Sequence, residues 1–227
     1  MSQFRTILAA SAAFFTLAGA ATAAPVTIRD NPNNGASVFA TGLGRNVSIT
    51  DNGVNRTVGA GVFSLQYETG AGWTDFLTFC LQLDEWLSLP KSHDRVDGAG
   101  YFPDAADNTA LGVLYGNLMT SSTGLKNSTT AAALQTIIWE IAEDGASNFD
   151  LSGGAFKLNS TDVLAEANSL WAMTVSGNFK PIAFDVFTAN GTQDLLVSEV
   201  PLPGAALLFG SALAGFSFSR RRRKSAN

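Results

Sequence analysis

The sequence predicts a mainly β domain with a helical insertion, an antiparallel β-sandwich or barrel. A signal helix precedes it and a single transmembrane helix follows it. Three observations carry this reading. Apolar and polar residues alternate with period two through 58–68 and 74–83. The period changes to that of a helix between about 107 and 177. Strand-like runs then return at 181–188 and 192–197. Strands, then helices, then strands is the order of an α+β domain rather than of a parallel α/β sheet.

The elements follow in chain order. Arg5 supplies a positive start, residues 7–17 an apolar run and Ala21-Thr22-Ala23 a small-residue cleavage site, the order of a secretory leader. Cleavage after Ala23 keeps Pro25 away from the scissile bond and leaves a body spanning 24–199. Asp30 to Gly35 is a turn cluster, and short β runs are expected at 37–41, 46–50 and 58–68. In the third, Phe63, Leu65 and Tyr67 alternate with Ser64 and Gln66. The segment 68–72, with two glycines, turns the chain into a strand at 74–83, making a hairpin. Residues 89–103 read as a polar loop in which the single histidine, His93, lies at the surface. Asp107 or Asn108 caps a helix to about Met119. Asn127, Ser128 or Thr129 caps a second to about Asp144, which Gly145 ends. Ser160 or Thr161 opens a third that stops at Gly177.

Composition narrows the function. The chain has 14 basic and 19 acidic residues, a net of −5. Arg5 leaves with the leader, and five cations leave with the tail if it is cut. Eight basic and 19 acidic residues then remain, a net of −11. Such a body repels nucleic acid and anionic lipid. One cysteine permits no internal disulfide, and one histidine leaves no material for a histidine metal triad. Asp94, Asp97, Asp104 and Asp107 surround a Gly-rich loop, but their spacing is not that of a calcium loop. The residues imply no cofactor and no metal. No general-base constellation is visible, so the chain is not read as an enzyme.

The C-terminus has three parts in fixed order. Val200-Pro201-Leu202-Pro203 is an extended hinge, because the prolines fix φ and remove donors. An apolar run follows at 205–218, and with the hinge it approaches the roughly 20 residues that span a bilayer core. Arg220, Arg221, Arg222, Arg223 and Lys224 then form a cytoplasmic anchor that keeps the body outside. This arrangement resembles the VPLPA-CTERM variant of the PEP-CTERM sorting signals, with Gly204 where the variant's name has alanine. The resemblance covers 200–224. It implies a Gram-negative cell, an exosortase that cuts near the hinge, export machinery with a signal peptidase, and a final place at the cell surface or in the extracellular matrix.

One constellation in the body has chemical potential. In a strand at 76–83, Leu77, Phe79, Leu81 and Leu83 share the expected core face, while Cys80 lies on the other face with Phe76, Thr78 and Gln82. In the second helix, Leu134, Ile137, Ile138 and Ile141 form the apolar stripe. Gln135 lies at its edge, with Trp139 one turn on. The pair Phe79-Cys80 and Leu134-Gln135-Thr136-Ile137-Ile138-Trp139 resembles the signature of thioester domains on bacterial surface adhesins, with Leu134 where threonine is usual. The resemblance covers about 74–144. It implies an internal thioester between Cys80 and Gln135 for covalent adhesion to a surface or matrix target, and Trp139 and Phe76 would keep water out. Asp84 and Glu85 would raise the thiol pKa and have no catalytic role. The other reading stays open: a noncovalent structural or adhesive module in which Cys80 is an inert small hydrophobe.

Overall fold

The computed structural model describes residues 24–120 and 124–198. The expected leader, hinge, apolar run and basic cluster lie outside the described residues. Among the described residues, no helix is long and apolar enough to cross a membrane.

Among the described residues, eight strands and four α-helices build the domain. The strands are β1 (Val26–Asp30), β2 (Phe39–Asp51), β3 (Val54–Thr69), β4 (Gly72–Cys80), β5 (Lys91–Asp97), β6 (Phe156–Leu158), β7 (Phe184–Thr188) and β8 (Leu195–Ser198). The helices are α1 (Gly98–Tyr101), α2 (Ala105–Thr120), α3 (Ser128–Asp144) and α4 (Thr161–Val175). All strand pairings are antiparallel. In the order β1-β5-β7-β8-β4-β3 the sheet closes on itself through the β1–β3 pairing, giving a six-stranded barrel. β2 and β6 continue outward from β3 as a flange. The expected mainly β domain with a helical insertion is what the chain adopts, in its barrel form.

β3 makes both parts possible because it changes partners along its length. Its second half pairs with β4 from Phe63 to Thr69 and with β1 around Leu65 to Tyr67. Its first half pairs with β2, from Val54 to Gly61 and again at Phe63, along the edge that β1 takes up further on, while β4 lies on the opposite edge. The β2 ladder is interrupted after Gly61, whose φ is 150°. A Cβ there would run into the carbonyl oxygen of Leu43. β2 is irregular at the same level, with a register shift between Phe39 and Gly44. That bulge joins the two short runs expected at 37–41 and 46–50 into one strand.

The helices cover the flange. α3 packs on β2 and β3, and α4 and α2 pack over α3. α3 is therefore buried from Thr130 to Ile141 on all sides, rather than along one stripe. Its start and end are those expected. The Asn127 side chain accepts from the Thr129 and Thr130 N–H groups, and Gly145 follows its last residue with φ 83°. α4 follows Ser160, as anticipated, but the Ser160 hydroxyl accepts from the Ser48 N–H instead of capping its own helix.

Four expectations need correction. Residues 89–103 are not a polar loop: β5 runs through them, pairing with β1 and β7. Its sequence is polar, so alternation does not reveal it; the barrel supplies its partners. His93, expected at the surface, is 0% exposed, and burial lowers its pKa. The strands β1 and β6 are too short to leave a pattern of their own. α2 begins earlier than expected, at Ala105, with Asp104 accepting from the Ala106 N–H.

Candidate functional site

β4 ends at Cys80, and the way it ends creates the site. On one edge Cys80 pairs with Leu195 of β8, and the next N–H, of Leu81, donates to the Asp194 carbonyl. On the other edge the β3–β4 ladder stops at the Phe63–Thr78 pair. The next position in register would set Gly61 opposite Cys80, but no β3–β4 pair forms there. The Cys80 N–H and C=O are thus left without a strand partner in a dry interior, where each unmet backbone group would cost about 1–3 kcal/mol.

The side chain of Gln135 takes the vacated place. The Cys80 N–H donates to Gln135 Oε1 at 3.2 Å, and Gln135 Nε2 donates to the Cys80 carbonyl at 2.8 Å. The carboxamide substitutes for a missing peptide group and is held at both of its polar atoms. Both anchors belong to the backbone of Cys80, so the carboxamide lies against the residue that carries the thiol. Gln135 itself is 1% exposed. It was expected at the edge of an apolar stripe. With sheet on one side and helices on the other, α3 has no edge at this point.

The two faces of β4 also differ from expectation. Leu77, assigned to the core face, is 38% exposed, whereas Thr78, Phe79, Cys80 and Leu81 are all buried. The buried class switches from none to both faces because only the end of β4 lies inside the barrel and under α3. Cys80 therefore does not turn away from an apolar interior. Burial pushes its thiol up to about 12. At neutral pH the group is an un-ionised thiol.

Trp139 lies one turn beyond Gln135 on α3 and is 2% exposed. Its ring packs near Phe156, with centroids 6.3 Å apart. Among the described residues its indole N–H finds no regular hydrogen bond. As a side-chain donor to the Cys80 thiol, Trp139 opposes the rise in its pKa that burial causes. Phe76 is four residues before Cys80, half-buried in an aromatic cluster with Tyr67 and Phe187 at 5.4 and 5.9 Å. The structure thus groups Cys80, Gln135 and Trp139, and sets Phe76 in a separate cluster.

A groove of about 490 Å³ reaches this group from solvent. Trp139 lines it together with Arg56, Gln82, Asp84, Glu85 and the 88% exposed Trp86. Asp84 and Glu85 are at the groove, but burial is the cause that raises the Cys80 thiol, not their charge. No local pattern reveals the groove, because its walls come from β3, α3 and the segment after β4.

One further buried group carries no signal in the sequence. Glu140 is 0% exposed; its Oε1 accepts from the Asp150 N–H and its Oε2 has no partner among the described residues. Burial first, and then the nearby Asp144 and Asp150 charges, push its carboxyl up to about 7. A raised carboxyl pKa favours the folded state while the group is protonated. That contribution is complete below the ordinary carboxyl pKa near 4.5 and is lost as pH rises through about 7. Chemical denaturation across this range is expected to show stability falling, and Glu140→Gln should flatten the fall. The carboxylates of the 94–107 segment serve as local caps: Asp97 for α1, Asp104 for α2, and Asp107 for the Ala146 N–H. Among the described residues no cluster of three or more His, Cys, Asp or Glu side chains could hold a metal.

No protein-family model and no curated protein matches this chain. Among solved structures, the N-terminal thioester domain of a surface protein from Clostridium perfringens is similar to it, with 16% identity and a TM-score of 0.43. The likeness covers 60% of this chain and 88% of that one.

Proposed function

We propose that this is an exported surface or matrix protein whose barrel domain attaches covalently to its target through an internal thioester between Cys80 and Gln135. The two-point hold of the Gln135 carboxamide by the Cys80 backbone supports this reading most strongly. A carboxamide held against the residue that carries the thiol, in a water-poor site, supports the proximity that acyl transfer requires. The same hydrogen bonds suit the reaction. The Cys80 N–H polarises the Gln135 carbonyl, and the Cys80 carbonyl orients the nitrogen that must leave.

The closing step balances without an external reagent. The Cys80 sulfur bonds to Gln135 Cδ, the Cδ–Nε2 bond breaks, and the thiol proton leaves with the nitrogen as ammonia. On the target, an amine or hydroxyl attacks Cδ, the C–S bond breaks, and the proton given up by the nucleophile returns to the sulfur. Gln135 is left joined to the target, and the protein acts once rather than turning over. On this reading export uses the leader and its signal peptidase. The hinge, membrane helix and arginine cluster are read by an exosortase, and no nucleic acid or cofactor takes part.

Intact mass tests the covalent step. The exported wild type is expected about 17 Da lighter than its sequence after processing, the mass of one ammonia. Cys80→Ala should remove that deficit. A full mass together with a freely titrating thiol would overturn the proposal. A noncovalent module with an inert cysteine is the second reading. It is favoured by the complete burial and strongly raised pKa of Cys80, the state of a structural cysteine.

A further inference from the structure

Resting on the thioester reading, we infer that the indole N–H of Trp139 is the donor to the Cys80 sulfur when the thioester closes and opens, so that Trp139 sets the quality of the leaving group as well as excluding water. Three observations lead there. Trp139 and Gln135 are four residues apart on α3, so they project from neighbouring turns of one face, and Gln135 is fixed to Cys80 by two hydrogen bonds. The Trp139 N–H is buried and, among the described residues, lacks a regular partner. Trp139 nonetheless lowers the pKa of the Cys80 thiol as a side-chain donor, against the larger effect of burial, which makes the two side chains neighbours.

A buried N–H without an acceptor destabilises the fold, and a phenylalanine would fill much of the same space with no donor to satisfy. The orphan donor is explained if its acceptor is at full strength in another state of the site. A neutral thiol is a poor acceptor. A sulfur gaining negative charge as its bond to Cδ breaks is a good one, and hydrogen bonds to charged groups are about twice as strong as neutral ones. During opening, the attacking nitrogen bonds to Gln135 Cδ and the C–S electron pair moves onto sulfur. The Trp139 N–H stabilises that charge until the proton shed by the nitrogen reaches it. Because Trp139 also lines the solvent groove, donor and water barrier are parts of one side chain.

The two roles predict opposite signs for one substitution. A side chain that only excludes water should, when trimmed, let the thioester open faster. A side chain that stabilises the departing sulfur should, when its N–H is removed, make it open more slowly. The test uses the purified exported protein and methylamine as nucleophile, followed by intact mass and by thiol release. Trp139→Phe is expected to slow methylamine opening about tenfold, the effect of losing one charge-assisted hydrogen bond. It should also move the pH profile of alkylation of the released thiol to higher pH. Trp139→Ala, which removes barrier and donor together, should raise spontaneous hydrolysis relative to Trp139→Phe. Replacing Trp139 with benzothienylalanine keeps the bicyclic shape and deletes only the N–H, so it gives the same answer if Trp139→Phe does not fold.

Opening at the wild-type rate or faster in the N–H-deleted proteins, with an unmoved alkylation profile, overturns the inference and leaves the thioester intact. A wild type with no mass deficit instead overturns the reading on which it rests.

Discussion

Replacing Gln135 with leucine in a Cys80→Ala background is expected to destabilise the domain by about 2–5 kcal/mol, read as a lower denaturant midpoint at unchanged slope. The background removes any covalent link, so the measurement isolates the hydrogen bonds. Leucine is apolar and close to glutamine in size, and it leaves little void beneath α3. What it lacks is the pair of groups that meet the Cys80 N–H and C=O. Those groups stay buried at the point where the β3–β4 ladder has ended, and no strand is paired there to replace the carboxamide. Two orphaned backbone groups account for the size of the effect, a large fraction of the 5–15 kcal/mol typical of a whole domain. Gln135→Leu costing under about 0.5 kcal/mol would show that the carboxamide does not complete the β4 edge.

The second large effect is expected at Gly61. Gly61→Ala should cost about 2–5 kcal/mol, a fall of roughly 5–15 °C in melting temperature for a domain of this size. Two penalties add. A φ of 150° is a conformation that side-chain-bearing residues rarely adopt, and the new Cβ would press on the Leu43 carbonyl, which belongs to backbone and cannot swing aside. Gly70→Ala is the control. It lies in the β3–β4 turn, with an ordinary φ and open space around its Cα, and should stay within about 0.5 kcal/mol of wild type. Unchanged melting would mean that the irregular β2–β3 pairing accepts a side chain in place of Gly61.

Particular residues show why some of this was legible and some was not. The β3–β4 hairpin announces itself through alternation and a glycine-rich turn, both local properties. α3 is equally plain, because Asn127 and Gly145 mark its ends by local chemistry. His93 and β5 were misread for the opposite reason. A strand of Lys, Ser, His, Asp and Arg has no apolar rhythm, and the burial of His93 arises from closure of the barrel around it. Glu140 was unremarkable in sequence, one charge on an amphipathic helix, until α3 proved to be enclosed on all sides. Phe76 was placed near Cys80 by strand parity. Parity gives a face, not a neighbour, and the barrel gave that ring to Tyr67 and Phe187 instead.

The sequence by itself determined the class of the fold, the order of its elements and the residues worth watching, because periodicity, capping and glycine placement act over a few residues. Tertiary structure alone decided that Cys80 and Gln135, 55 positions apart, should meet. It did so through one backbone event: the β3–β4 ladder ends at the Phe63–Thr78 pair, and the buried edge of β4 beyond it is met by the carboxamide of Gln135.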